Sequence, residues 1–182
     1  MSTKSRLFNI LGITKNPIML IGIHGIGKSE MIAEFARLVG KPLVDIRLSQ
    51  YSAGDFIGMP WPDHENKSTV FYPPELLQLV SREPCILFLD ELNRAQLDVR
   101  QAVFQIADSR RLGSLVLHPE TVVVAAINPD DLEYLVKPLD PAERDRWMFF
   151  DFKPSPDEWL EWAASVQVHP QMSGLQVLKR GG

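Results

Sequence analysis

One run of eight residues has the composition and spacing of a phosphate-binding loop. Residues 22–29 read GIHGIGKS and fit the pattern G-x-x-x-x-G-K-[ST]. Glycines allow backbone N–H groups to turn toward phosphate oxygens, Lys28 would reach the β- and γ-phosphates, and the Ser29 hydroxyl would bind Mg²⁺. The alternative is a glycine turn that binds nothing. The predicted nucleotide-binding set is Gly22, His24, Gly25, Ile26, Gly27, Lys28, Ser29 and Glu30.

Two adjacent carboxylates follow an apolar run further along the chain. Residues 85–89 read CILFL, and Asp90 and Glu91 come next. An acid at the carboxyl end of a parallel strand lies where open α/β sheets bind their ligands. Asp90 is predicted to hold Mg²⁺ together with Ser29, through water molecules, and Glu91 to deprotonate an attacking water. The alternative is a strand that ends in charged residues at the surface.

A third apolar run ends in a polar amide. Residues Thr121 to Ile127 lead into Asn128 and Pro129. The Asn128 side chain could hydrogen-bond a γ-phosphate or the attacking water. An ordinary Asn-Pro turn after a strand is the alternative, and the other two motifs favour the functional interpretation.

Short apolar runs alternate with amphipathic stretches, a pattern typical of parallel strands joined by helices. The third and fourth strands are apolar throughout, which indicates burial on both faces of a doubly wound sheet. Residues 49–73 lack a clear period and are predicted to form a long functional loop, with an ordered but inert excursion as the alternative. The five predicted strands are Ile18 to Ile23, Leu43 to Leu48, Cys85 to Leu89, Thr121 to Ile127 and Trp147 to Phe152. The predicted helices are Ser29 to Val39, Pro74 to Ser81, Ala95 to Asp108 and Asp157 to Val168.

The composition indicates one ordinary globular domain. The chain has 182 residues and a formal net charge of −4, so its overall field does not indicate nucleic acid, although a local basic patch stays possible. No apolar run approaches the roughly 20 residues that span a bilayer. No signal-peptide core is evident, which predicts a cytoplasmic protein with no membrane partner. Cys85 lies in an apolar run and is expected to be a buried thiol.

Taken together and in this order, the motifs resemble an AAA+ ATPase of the MoxR and dynein/midasin-related (AAA_5-like) branch. The resemblance spans about residues 17–155 and rests on the phosphate loop, on Asp90-Glu91 with the following LNRA of residues 92–95, on AINP at 126–129, and on AERDRW at 142–147. It implies a P-loop NTPase three-layer α/β sandwich with a five-stranded parallel sheet. In that sheet the strand before Asn128 lies between the two nucleotide-binding strands.

The resemblance also implies roles for individual residues. Lys28 and Ser29 would be the Walker A residues, Asp90 and Glu91 the Walker B pair, and Asn128 sensor 1. ATP and Mg²⁺ would be the cofactors, and a hexameric homo-oligomeric ring would act on a protein partner. An arginine finger for the neighbouring subunit would be either Arg144 or Arg146, with Arg146 the better match to the family.

Other predictions concern the domain limits and the remaining basic and aromatic residues. Residues 1–168 are expected to form the AAA+ core, and residues 169–182 a tail too short for the family's helical lid. An inserted hairpin is expected at Arg111 to Pro119. Trp159 and Trp162 are expected to pack in the core. A set of arginines on or near the helix after Asp90-Glu91 would face a neighbouring nucleotide, a ring pore or water: Arg94, Arg100, Arg110 and Arg111.

The leading functional hypothesis is an Mg²⁺-dependent ATPase that remodels a protein partner as a nucleotide-dependent ring. The alternatives are a nucleotide-gated binding or scaffold module with little hydrolysis, a GTP- or DNA-linked restriction-type motor subunit, and a small-molecule kinase. The sequence identifies neither the partner nor a residue that would read the base.

Overall fold

A computed structural model describes residues 2–129 and 139–165, with side chains up to residue 160. The helices in these residues are α1 (Thr3–Ile13), α2 (Lys28–Val39), α3 (Ala53–Ile57), α4 (Glu75–Arg82), α5 (Leu97–Ser109), α6 (Pro141–Arg144) and α7 (Pro156–Ser165). The strands are β1 (Ile18–Ile21), β2 (Leu43–Arg47), β3 (Met59–Asp63), β4 (Ser68–Tyr72), β5 (Ile86–Asp90), β6 (Arg111–Leu112), β7 (Leu115–Val116), β8 (Val122–Ile127) and β9 (Met148–Asp151).

The central sheet has five strands in the order β2-β5-β8-β1-β9, and every neighbouring pair is parallel. This confirms the predicted sheet, and it confirms that the strand before Asn128 lies between the two strands that precede the phosphate loop and the carboxylate pair. The β5–β8 ladder ends where Leu89 lies opposite Ala125. The residues that follow Leu89 and Ala125 are therefore not positioned by pairing between β5 and β8.

Both faces of the sheet are buried, which explains the continuous apolar runs of β5 and β8. Alternate residues of β5 belong to different cores: Leu87 and Leu89 face the α4 and α5 side, whereas Ile86 and Phe88 face the α1 and α2 side. No helix in the described part of the chain is long and apolar enough to cross a membrane.

The segment predicted as a long loop at residues 49–73 is largely regular, so that prediction was wrong. It contains α3, which has a capping box between Ser52 and Asp55, and the antiparallel hairpin of β3 and β4. Pro60 and Pro62 interrupt the strand pattern, and most of the hairpin's side chains are exposed. Without one buried face the hairpin has no alternating apolar signal in the sequence.

The predicted hairpin after α5 is present as β6 and β7. Arg110 braces the segment that follows it, because its Nη2 donates to the carbonyl oxygens of Thr121 at 2.6 Å and His118 at 3.0 Å. Arg110 therefore has a structural role in this chain rather than a solvent-facing one.

Helix α1 was not predicted from the sequence. Ser2 caps its N-terminus, and Leu7 and Leu11 pack one turn apart against the core that α2 and β9 share. Only two buried positions mark this helix, a weak periodic signal. Helix α7 begins one residue before its predicted start, and the predicted residues 166–168 and the tail at 169–182 lie outside the described residues.

Candidate functional site

The three predicted motifs meet in one cleft at the carboxyl edge of the sheet. The cleft has a volume of about 200 Å³. It lies where β1, β5 and β8 end and α2 begins. The lining residues are His24, Gly25, Gly27, Lys28, Ser29, Glu30, Arg47, Asp90, Glu91 and Asn128. The structure therefore brings together most of the residues that the sequence assigned to nucleotide binding, metal binding and catalysis.

The glycines of the phosphate loop have two different roles. Gly25 and Gly27 have φ angles of 75° and 94°, in the left-handed region, and a Cβ on either would meet nothing within 4 Å. They leave open space in front of the backbone N–H groups. Gly22 is tightly packed instead, since a Cβ there would lie 2.9 Å from the Phe152 carbonyl oxygen. Gly22 does not line the cleft, but its carbonyl oxygen accepts a hydrogen bond from Lys28.

Lys28 is 7% exposed, and its ammonium group is bound within the chain. Its Nζ donates to the carbonyl oxygens of Gly22 at 2.6 Å and Ile23 at 3.1 Å and to Asn128 Oδ1 at 3.1 Å. Burial lowers the pKa of Lys28 below the usual lysine value, and the carboxylates of Asp90 and Glu91 partly oppose this shift. The ammonium lies between two backbone carbonyls and an amide at the end of β8.

A hydroxyl and a carboxylate lie side by side where the predicted Mg²⁺ site would be. Ser29 Oγ donates to Asp90 Oδ2 at 3.3 Å, and Asp90 Oδ1 accepts from the backbone N–H of Glu91 at 2.8 Å. The described residues contain no group of three or more His, Cys, Asp or Glu side chains that could hold a metal by themselves. This donor set fits Mg²⁺, which keeps several waters and takes few protein ligands when phosphates supply the others.

Glu91 follows β5 in a left-handed backbone conformation, with φ of 58°, and is 9% exposed. The Ser49 hydroxyl donates to its Oε2, and Arg94 Nη1 lies 3.7 Å from its Oε1. Ser49 belongs to the 3₁₀ turn Leu48–Gln50, directly after the neighbouring strand β2. The Glu91 carboxylate is therefore held at the edge of the cleft by a hydroxyl and a guanidinium.

Asn128 is 3% exposed and lies opposite Lys28. Because its Oδ1 accepts from Lys28, its Nδ2 remains a donor at the cleft. The backbone carbonyl of Asn128 accepts from Asn93 Nδ2 at 2.9 Å. The Asn-Pro turn and the functional interpretation are therefore compatible, since the side chain faces the cleft at the point where the strand ends.

A second cavity of about 190 Å³ adjoins the cleft, with Gly27 lining both. Apolar side chains cover most of its walls: Ile26, Met31, Phe152, Pro154 and Trp159. The start of α1 and α7 add polar and charged residues: Ser2, Thr3, Lys4 and Glu158. Ile26, predicted to bind nucleotide, lines this cavity rather than the cleft. Trp159, predicted to pack in the core, is half-buried and lines it as well. The side chain of Trp162 lies outside the described residues.

The α6 segment is anchored to α5 by a buried ion pair. Arg100 Nη2 and Nε bind the two carboxylate oxygens of Glu143, and Arg100 is 4% exposed. Glu143 also closes the capping box of α6 with Asp140. None of the three surroundings predicted for Arg100, a neighbouring nucleotide, a pore or water, is the observed one. The reason is that α6 places a carboxylate beside the buried guanidinium.

Arg144 and Arg146 lie outside the cleft. Arg146 Nε donates to Asp108 Oδ1 at 2.8 Å, and its guanidinium stacks 4.0 Å from the Phe104 ring centroid. Arg144 is exposed and lies over Phe149 at 5.3 Å. It lines a third cavity with Asn93 and with Asn128, which also lines the cleft. Neither arginine is brought to the phosphate loop of its own chain.

Three residues near the site were not predicted. Arg47 lines the cleft, Ser49 binds Glu91, and Asn93 binds the Asn128 backbone. The only signal for Arg47 and Ser49 was their position at the end of β2, the neighbour of β5. That neighbour relation is a property of the sheet order rather than of the local sequence.

A family model described as "AAA domain (dynein-related subfamily)" matches residues 17–147. NorQ of Paracoccus denitrificans is 31% identical over 167 residues, covering 87% of this chain and 58% of NorQ. CbbQ of Hydrogenophilus thermoluteolus is 29% identical, covering 78% of this chain and 55% of CbbQ. The chaperone MoxR1 of Mycobacterium tuberculosis is 28% identical, covering 93% of this chain and 45% of MoxR1. The chain thus spans about half the length of these relatives.

A crystal structure of an ATPase candidate from Cytophaga hutchinsonii superposes with a TM-score of 0.67 and 20% identity. The match covers 93% of this chain and 52% of that chain, and it shows the fold alone. The family match covers the phosphate loop, the carboxylate pair and Asn128, which are the residues that meet in the cleft. The chain therefore belongs to the dynein-related subfamily of AAA domains and is an AAA+ protein of the MoxR-like group.

Proposed function

We propose that this protein is an Mg²⁺-dependent ATPase that uses hydrolysis to remodel a protein partner. The observation that carries the proposal is the convergence of Lys28, Ser29, Asp90, Glu91 and Asn128 on one cleft. A donor for phosphate oxygens, a place for a metal, a carboxylate base and a polar amide are what phosphoryl transfer to water requires. Membership of the AAA family supports this reaction class.

In this proposal each of these side chains has a distinct role in binding or hydrolysis. Lys28 Nζ exchanges its contacts with the Gly22 and Ile23 carbonyls for phosphate oxygens. Ser29 Oγ and Asp90 would hold Mg²⁺, which would supply neutralisation of phosphate charge. Glu91 accepts a proton from the attacking water, and Asn128 Nδ2 donates to that water or to the γ-phosphate.

The cavity beside the cleft is the proposed position of the base. A nucleotide with its phosphates over Gly25 and Gly27 extends past Gly27, which lines both spaces. Ile26, Met31 and Trp159 offer apolar surface for a planar ring. Fluorescent ATP and GTP analogues, compared in wild type and Trp159→Ala, would show which purine is preferred.

Glu91→Gln is the direct test of the chemistry. We expect phosphate release to fall about 10²- to 10⁴-fold, because a carboxamide cannot take the proton. Affinity for ATP should stay within about threefold, since the change retains the shape and polarity of the side chain, and Glu91→Asp serves as the matched carboxylate control. Steady-state phosphate release and a binding titration measure the two quantities. Full activity of Glu91→Gln would remove Glu91 as the base.

A second candidate function, a nucleotide-gated binding module with little hydrolysis, is favoured by one observation. Ser49 and Arg94 both engage the Glu91 carboxylate, so the proposed base is already held by contacts within the chain. Turnover well above background at concentrations where the chain oligomerises would contradict this candidate. Nucleotide-dependent binding of a partner without turnover would favour it.

The proposed assembly is a ring in which an arginine of one subunit completes the site of the next. The pair of Arg100 and Glu143 anchors α6, which ends at Arg144, on α5. Arg146 would have to exchange its contact with Asp108 for a phosphate, whereas Arg144 is exposed.

Subunit mixing tests the assembly. An arginine acting in trans contributes about 10³- to 10⁵-fold in related systems, so Arg144→Ala or Arg146→Ala should reduce turnover strongly. Adding Lys28→Ala subunits should partly restore it, because mixed rings contain sites with an intact lysine and an intact neighbouring arginine. The variant that is restored identifies the finger. No restoration for either variant would contradict action in trans.

A further inference from the structure

The side chain of Asn93 is buried behind the cleft and is used by no step described above. It lies in the 3₁₀ turn Leu92–Arg94 after Glu91 and is 1% exposed. Its Nδ2 donates to the backbone carbonyl of Asn128 at 2.9 Å. Because a carbonyl only accepts, this contact fixes the orientation of the amide.

Burial of this amide is only half compensated. Among the described residues, Asn93 Oδ1 is the buried side-chain oxygen or nitrogen to which no other protein group hydrogen-bonds, and Asn93 borders a cavity of about 220 Å³. A buried polar atom without a partner is unfavourable, and an apolar side chain of similar size would avoid that cost. The hydrogen bond to the Asn128 carbonyl is therefore the interaction that an amide provides here and an apolar side chain would not.

That bond joins two segments that the sheet does not join. The ladder between β5 and β8 ends at Leu89 and Ala125. Beyond it, Glu91 turns away in a left-handed conformation, while Asn128 continues from β8. Asn93 bridges the two segments, so the turn that carries Glu91 and the strand end that carries Asn128 are held at a fixed separation.

We propose that Asn93 is a positioning residue that sets the Glu91 carboxylate and the Asn128 amide around the same attacking water. The inference rests on the proposed function. Asn93 does not line the phosphate cleft, so it acts through the two residues that do. The Asn128 backbone is held by Asn93 and its Oδ1 by Lys28, and losing the first contact frees the amide to shift relative to Glu91.

Asn93→Leu tests the proposal by removing the amide while keeping the volume. We expect kcat for ATP hydrolysis to fall about 10- to 100-fold, as misplacement of catalytic groups by about 1 Å produces. The KM and the binding affinity for ATP should stay within about threefold, because the phosphate loop is untouched. Thr121→Val, which removes a buried hydroxyl at the opposite end of the same two strands, is the matched control and should leave kcat unchanged.

Asn93→Asp adds a readout that a purely structural role would not give. Only the protonated carboxyl can donate to the Asn128 carbonyl, so the ratio of kcat in Asn93→Asp to kcat in wild type should fall as pH rises. The same ratio for Asn93→Leu should be flat. This comparison remains informative even where Asn93→Leu does not fold.

The outcomes separate the two proposals. Wild-type protein that releases no phosphate from ATP would overturn the proposed function and this inference with it. Active wild type with a folded Asn93→Leu at wild-type kcat would overturn only the inference, as would a flat pH ratio for Asn93→Asp. A kcat loss with unchanged KM and a falling pH ratio would support it.

Discussion

Strands β5 and β8 bury polar side chains at both of their ends, and the two ends differ in what those side chains contact. At the carboxyl end, Lys28 binds Asn128 and Ser29 binds Asp90. These contacts join side chains that surround an open cleft. In the proposed function, phosphate oxygens and Mg²⁺ would compete for these side chains.

The amino end contains Cys85 and Thr121, which are both buried. Thr121 Oγ1 accepts from the Cys85 backbone N–H at 3.3 Å and donates to the Val80 carbonyl at 3.4 Å. Its partners are therefore a backbone carbonyl of α4, the backbone N–H of Cys85, which precedes β5, and the Cys85 thiol at 3.6 Å. Burial raises the pKa of the Cys85 thiol, so it stays protonated.

This difference in contacts distinguishes Thr121, which stabilises the fold, from Asn128, which faces the cleft. Both Thr121 and Asn128 are polar residues at the limits of one apolar run, and both are 3% exposed. Burial alone does not distinguish them. The partners do, because Thr121 Oγ1 is bonded to backbone groups and to the Cys85 thiol, whereas the Asn128 side chain contacts the Lys28 ammonium at the cleft.

The largest effect that would test this contrast is expected from Lys28→Met, which keeps the aliphatic stem and removes the charge. Affinity for ATP should fall about 10- to 100-fold, since a hydrogen bond to a charged group contributes roughly 1.5–3 kcal/mol. A titration with a fluorescent ATP analogue measures the change. Affinity within twofold of wild type would mean that the ammonium is held by the fold alone.

The same titration over a pH series should show the affinity for ATP changing with pH in one predicted direction. Burial lowers the pKa of Lys28 in the ligand-free protein, and phosphate binding needs the charged form. Affinity should therefore decline with rising pH at a lower pH than an ordinary lysine would give. Lys28→Met has no such ammonium and should lack this component of the pH dependence.

A smaller effect, on stability alone, is expected from Thr121→Val. Loss of the hydroxyl leaves backbone groups of Val80 and Cys85 without this contact, so the free energy of unfolding should fall by about 1 kcal/mol. Denaturant unfolding measures it, and Thr121→Ser, which retains the hydroxyl, should recover part of the loss. A change in kcat beyond twofold would show that the two ends are coupled and would contradict the contrast.

The sequence predicted the framework of the site because that framework is local. A strand that ends in a phosphate loop, a strand that ends in two carboxylates and a strand that ends in Asn128 are each recognisable from contiguous residues. The five strands were predicted to within one or two residues. Burial on both faces produces the unbroken apolar runs of β5 and β8. The meeting of the three strand ends then followed from a parallel sheet.

The contacts around the framework were not predictable because they depend on tertiary neighbours. Nothing near Arg100 in the sequence indicates Glu143, which lies 43 positions away. Ser49 reaches Glu91 only because β2 lies beside β5. The hairpin of β3 and β4 packs so few of its side chains that its sequence lacks the alternation by which strands are found.

Gly22 has a consequence for how the phosphate-loop signature is understood. The first glycine of the pattern is excluded from the cleft and is pressed against the Phe152 carbonyl oxygen, where any side chain would collide with backbone. The first glycine of the pattern is thus needed for close packing between the end of β1 and the residue that follows β9. A homologue that no longer binds nucleotides would still need a glycine at this position for packing. The first glycine of the pattern can therefore be retained in a protein that has lost nucleotide binding.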